Sequence, residues 1–187
     1  MTRADFENNY DWYVLSTLYG REDEIKSFIE YHIDGDKNYL IKNPKKKIPE
    51  WKNGEFRESI KQVFSGYLFI LVSKEVNAED LLTEILSFKK YDIGIVKLLH
   101  FSDKPVPAKL TSAEIKKITI LLNNDDIVDY TIGLKNGDEV IIISGPLKEH
   151  IAKIEKIDTR KFKIKVSFNF LGFQTVDLPF TFVEKII

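Results

Sequence analysis

The chain has 187 residues, 43% of them hydrophobic, with a formal net charge of -1 and no cysteine. That is enough apolar material for one medium domain or two small ones, and the near-zero charge creates no global field drawing the protein to nucleic acid or membrane. Without cysteine there is no thiol catalysis, disulfide or thiolate-ligated zinc. The first seven residues lack the apolar run of a signal peptide, so cytoplasmic residence with no membrane partner is the expectation.

Trp12 to Thr17 is aromatic and β-branched and predicts a first strand, ended by Leu18-Tyr19-Gly20. Ile25, Phe28, Ile29 and Ile33 share one helical face, and Glu22, Asp23 and Glu24 precede them where the helix dipole favours carboxylates. Asn38 to Lys42 suits a short strand. Asn43 to Gly54 holds two prolines and reads as a protruding basic loop. Phe56 to Val63 is expected to form a hairpin with the next strand. That strand, Tyr67 to Val72, is six apolar or aromatic residues in a row, which predicts burial on both faces, with the turn into it at Gly66. Tyr67 and Phe69 in it, with Phe64 just before, are either core or a docking surface for another protein.

Asn77 is placed to cap a helix whose inner face is Leu81, Leu82, Ile85 and Leu86. Ile93 to Phe101 predicts another strand. Thr111-Ser112-Ala113-Glu114 fits a capping box for a last helix, with Leu110 and Ile115 as its hydrophobic staple. Strand, helix, strands, helix, strand, helix argues for an α+β unit, an antiparallel sheet with helices packed on it. After the polar run 123–126 only strands are predicted: Glu139–Ile143, Ile151–Ile157, Phe162–Phe168, Phe173–Leu178 and Phe182–Ile186, about enough for a small closed all-β barrel. The expected organisation is residues 1–122, a linker at 123–135 and a barrel at 136–187.

His32, His100 and His150 are scattered, and Asp125, Asp126 and Asp129 lack the alternating oxygen ligands of a calcium loop, so no catalytic site, metal or cofactor is expected. The basic residues are more suggestive. Lys42 to Lys61 and Lys148 to Lys165 each hold seven basic and three acidic residues. Lys45, Lys46 and Lys47 lie near Trp51, which offers phosphate contacts beside a stacking aromatic. Lys148, Lys153, Lys156, Arg160, Lys161, Lys163 and Lys165 are partly spaced by two, so several can share one face of the barrel.

Three segments together resemble the NusG family of transcription elongation and antitermination factors: Trp12-Tyr13-Val14-Leu15, Phe64-Ser65-Gly66-Tyr67-Leu68-Phe69, and Gly137-Asp138-Glu139-Val140 followed by Ser144-Gly145-Pro146-Leu147. The resemblance implies an NGN-like first domain that docks on the clamp helices of RNA polymerase and an SH3-like barrel carrying the KOW motif. It assigns polymerase contact to Phe64, Tyr67, Phe69, Ser16, Thr17 and Leu18. It also places Lys89 and Lys90 near the nucleic-acid-facing region. Phe170-Leu171-Gly172 matches the loop through which the family meets a ribosomal protein or termination factor, while Phe173 stands where the family often has arginine. Ser65 stands where the family usually has proline, and Ala152 where it usually has glycine; with the basic loop, these departures resemble operon-specific paralogues of the LoaP or RfaH kind. The implied function is that of a monomeric, non-enzymatic factor promoting processive antitermination, recruited by a nascent RNA hairpin or exposed DNA. The alternative is a ribosome-associated or structural RNA-binding protein with a KOW barrel.

Overall fold

The computed structural model describes residues 6, 8–33, 38–100, 106–119, 121, 126–136, 139–148, 154–170 and 173–184. They belong to two compact units, Met1–Asn43 with Phe64–Thr119, and Pro44–Val63 with Ile120–Ile187.

The first unit contains a four-stranded antiparallel sheet in the order β2-β5-β1-β6, formed by β1 (Tyr10–Thr17), β2 (Tyr39–Lys42), β5 (Tyr67–Ser73) and β6 (Ile95–Leu98). As its composition predicts, β5 is an interior strand, and every residue from Leu68 to Val72 is fully buried. Strand alternation sends Tyr13, Leu15, Leu68, Ile70 and Val72 to one face, where they form a core with Ile25 and Ile29 of α1 (Glu22–His32) and Leu82 and Ile85 of α2 (Ala78–Ser87). The opposite face carries Trp12, Val14, Phe69 and Leu71, all buried. Trp12 and Phe69 lie 6.2 Å apart between ring centroids, and Phe64 meets Phe69 edge-on at 5.5 Å.

The helix starts follow the cap chemistry. Asn77 accepts from the Glu79 amide at 3.1 Å. Ahead of α3 (Ser112–Thr119), the Thr111 amide donates to Glu114 Oε2 at 2.8 Å while the Glu114 amide donates to Thr111 Oγ1 at 3.3 Å, the reciprocal pair of a capping box.

The second unit departs from the expected organisation. The segment read as a loop is a strand, β3 (Lys45–Lys52), paired along its whole length with β4 (Glu55–Gln62). The segment expected to pair with β5 is therefore this hairpin's second strand. Asn53 and Gly54 both have positive φ, 55° and 80°, and supply the two-residue turn that matches strand twist. Pro49 is tolerated because β3's other neighbour, β7 (Ile127–Val128), pairs only with Lys45 and Lys46 and leaves that edge open further along. β7 and β8 (Thr131–Asn136) occupy most of the expected linker.

A curled five-stranded sheet completes this unit in the order β10-β11-β12-β8-β9, adding β9 (Glu139–Ser144), β10 (Ile154–Asp158), β11 (Lys163–Phe170) and β12 (Phe173–Glu184) to β8. The last two expected strands are one. β12 pairs antiparallel with β11 through Pro179, then parallel with β8 from Phe180 onward, so proline marks a change of partner instead of a break. Ile164, Val166, Val176, Leu178 and Phe180 form its buried face.

Gly145, just after β9, has φ +92°, and a Cβ there would meet the Tyr130 carbonyl oxygen and stand 2.7 Å from Thr131 Cα. Backbone cannot yield as a side-chain tip can. Gly145→Ala is expected to destabilise the second unit by about 2 to 3 kcal/mol, measured as a lower urea midpoint; an unchanged midpoint would show that this approach is not required.

Candidate docking and nucleic-acid surfaces

In the first unit the residues expected to contact polymerase gather where β1 ends and β5 begins. Ser16 and Tyr67 are the last cross-strand pair, and both are partly exposed. Beyond them the Thr17 amide donates to Gly66 O and the Leu18 amide to Gly94 O, both at 2.8 Å. The Gly66 amide donates to Glu22 Oε1 at 2.6 Å, and Gly66 itself has φ +84°, which explains why glycine stands there. This network fixes the strand end and leaves Leu18 50% and Tyr19 81% exposed.

The proposed anchors thus divide. Phe64, Phe69 and Thr17 are buried, Phe64 and Phe69 with the ring contacts already given; Ser16 and Tyr67 are partly buried; Leu18 is exposed. Tyr19 joins Leu18 although its sequence context reads only as a turn. Lys89 and Lys90 are exposed in the 3-10 turn Phe88–Tyr91, and Lys90 Nζ lies 5.0 Å from the Tyr91 ring centroid.

In the second unit the pleat divides the lysine run. Lys45 and Lys47 share one face of the hairpin with Glu58, which pairs with Lys47 at 3.7 Å and accepts from Tyr130 Oη at 3.0 Å. Burial and Glu58 push the Tyr130 hydroxyl up to about 12. Lys46 lies on the other face with Lys61, which pairs with Glu50. Its Nζ donates to Asp177 O on β12 at 2.6 Å. Burial pushes the Lys46 ammonium down to about 8; Asp177 opposes the shift, while Lys163 and Lys61 add to it. Trp51 lies on β3, and the expected pairing of its side chain with the lysines falls outside the described groups.

Lys156, Lys161, Lys163 and Lys165 converge with Asp158 and Asp177 on a concavity of about 200 Å³. The ladder explains the gathering: Lys156 stands opposite Lys165, Asp158 opposite Lys163, and Asp177 opposite Lys165 on its other side. The alternation predicted for one barrel face is realised here. Lys148 and Arg160 are exposed but do not line it, and Lys153 lies outside the described residues. Phe170 is buried; Leu171 and the Phe173 side chain fall outside the described groups, as do Ala152, His150 and Asp125. Among the described residues no cluster of three or more His, Asp or Glu could hold a metal, and no helix is long and apolar enough to cross a membrane.

These features define an α+β unit interrupted by a hairpin, followed by a curled β sheet with a basic outer face. Residues 10–119 match the family described as transcription termination factor NusG, and residues 136–167 match the KOW motif. The chain is 30% identical to the transcription termination/antitermination protein NusG of Campylobacter jejuni, covering 96% of this chain and 99% of that one. It is 29% identical to the Bacillus subtilis protein and 27% identical to the Thermus thermophilus protein of the same name, covering 94% of this chain and 98% of the relative in both cases. The fold is similar to that in a structure titled for domain interaction in Thermotoga maritima NusG, with TM-score 0.52, 22% identity and coverage of 92% and 94% of the two chains. The chain belongs to the NusG family and is a transcription termination/antitermination factor, not an enzyme.

An unfolded lysine titrates near 10.5, whereas Lys46 in the folded chain titrates near 8. Between these values the unfolded chain binds the extra proton, so stability rises with pH; below about 8 the full cost of burying the cation is present. Lys46→Met is expected to raise stability near neutral pH by about 1 to 2 kcal/mol and to remove this alkaline rise. Urea titrations from about pH 7 to about pH 10 check it; a parallel pH dependence in both proteins would exclude Lys46 as the source.

Proposed function

We propose that this chain docks on the clamp helices of RNA polymerase through the exposed end of the β1–β5 pair and promotes processive antitermination during elongation. The carrying observation is the fixed presentation of Leu18 and Tyr19 beside Ser16 and Tyr67, within the segment that matches the family. An apolar and aromatic edge of this kind suits a helical partner and needs no titrating group. Phe64 and Phe69 support it from behind as packed aromatics.

A nascent RNA hairpin or exposed DNA recruits the factor through basic residues, and the second unit offers a ribosomal protein or termination factor a further surface. Ser65 in place of the usual proline, together with a basic hairpin, fits an operon-specific paralogue of the LoaP or RfaH kind.

The test is affinity for bacterial core RNA polymerase. Leu18→Asp and Tyr67→Ala are expected to weaken binding about 10- to 100-fold while leaving the fold intact, since each removes about 1.5 to 3 kcal/mol of apolar burial. Phe69→Ala, by contrast, is expected to cost about 3 to 5 kcal/mol of stability as a core truncation. A folded wild-type chain that does not bind polymerase would overturn the docking reading and favour a ribosome-associated role.

A further inference from the structure

The hollow on the outer face of β10, β11 and β12 gathers two kinds of unmet group. Its walls are Lys156, Lys161, Lys163 and Lys165 with Asp158 and Asp177, and no ion pair joins any two of them among the described residues. Asp158 accepts the Lys161 amide on Oδ1 at 3.0 Å and has Oδ2 to spare. The Asp177 carboxylate accepts no hydrogen bond among the described residues, since Lys46 bonds the main-chain oxygen of that residue. Four cations around one concavity repel one another, and an anionic occupant relieves that repulsion. The two carboxylates among them require the same occupant to bring hydrogen-bond donors.

Strand geometry sets how those charges and donors must alternate. Lys163 and Lys165 are alternate residues of β11, about 6.6 Å apart along it, and Lys165 stands between Lys156 on β10 and Asp177 on β12. An extended peptide has the same repeat, so acidic side chains at every second position meet successive lysines. Its main-chain N–H groups recur at every residue and can donate to Asp158 and Asp177. A polyphosphate or DNA backbone brings charge without a donor, and the two aspartates repel it. RNA adds 2′-hydroxyls, but no aromatic lines the hollow among the described residues, so its bases gain no stacking.

We infer that this hollow docks an acidic protein segment in extended conformation, alternate carboxylates taking the lysines and main-chain amides taking Asp158 and Asp177. The inference deepens, and rests on, the reading that the second unit offers a further protein a surface. It names the chemistry of that partner and sets the contact on β10, β11 and β12, whereas Phe170 is buried and does not line the hollow.

The experiment measures binding of the full chain to a labelled, end-blocked peptide of Glu-Thr repeats and to a single-stranded RNA carrying the same number of charges. Wild type is expected to bind the peptide more tightly. Lys163→Gln/Lys165→Gln should lose about tenfold in peptide affinity at low salt. Lys116→Gln/Lys117→Gln, which removes two exposed lysines of α3, should match wild type. Asp158→Ala/Asp177→Ala removes both the repulsion of phosphates and the acceptors for peptide amides, so the preference for peptide over RNA should fall about threefold or more. Urea midpoints check that each variant is folded. RNA bound as tightly as the peptide by wild type, or a preference unchanged by the aspartate variant, would overturn the inference. Peptide binding that survives the β11 variant would also overturn it, while leaving the second unit a protein-binding surface elsewhere. Polymerase affinity of the same preparations keeps either failure distinct from failure of the docking reading.

Discussion

The antiparallel pairing of β1 with β5 is the constraint from which the first unit follows. Its register runs unbroken from Tyr10 opposite Ser73 to Ser16 opposite Tyr67. Because both strands are apolar on both faces, the pair needs cover above and below. α1 and α2 supply it on the face of Leu68, Ile70 and Val72, burying Ile25, Ile29, Leu82 and Ile85. On the other face, Trp12, Phe64 and Phe69 pack ring against ring. Such burial contributes about 1.5 to 3 kcal/mol for each large side chain removed from water, so the pair dominates local stability. It also fixes where β2 and β6 can lie, one on each side.

Between β2 and β5, which are sheet neighbours, the chain leaves to make the β3–β4 hairpin and then returns. The excursion closes on itself: the Val63 amide donates to the Pro44 carbonyl at 2.8 Å. A hairpin whose ends meet in this way adds little closure entropy to the connection it interrupts. Inside the hairpin, the period of two decides what each charge can do. Lys47 faces Glu58, while Lys46 turns to the curled sheet and is buried against Asp177 O. A run of three lysines is therefore not one patch. On β11 the same period has the reverse effect, keeping Lys163 and Lys165 together while Ile164 turns inward.

This contrast explains what was legible in the sequence. Much of the local chemistry is legible: the Asn77 cap, the Thr111 and Glu114 box, the helical face of α1 and the hydrophobic run of β5 all appear as expected. The Asn53-Gly54 pair is an equally local hairpin signal that the reading of this segment as a loop does not use. What sequence spacing could not supply was distant pairing. β3 pairs with β7 and β12 with β8, both in parallel and across long stretches of chain, so strands lay where a linker and a break at Pro179 were expected. The candidate site divides on the same ground. Aromatic content marked Phe64, Tyr67 and Phe69 as important, but hydrophobicity alone does not separate a residue that supports a surface from one that forms it.

The docking edge depends on that support. Leu18 and Tyr19 lie beyond the last strand pair, where a free chain end would pay entropy on binding. Here the Thr17 and Leu18 amides are tied to Gly66 and Gly94, and Gly66 is tied to the Glu22 carboxylate in the first turn of α1. The exposed side chains are carried on backbone already ordered by folding, so a partner need order only their rotamers. Glu22 is itself fully buried, an unusual place for a carboxylate, and its bond to Gly66 explains why an acidic residue is kept there. It couples the helix start to the turn before β5, so the same contacts that close the core also hold the proposed contact surface in shape.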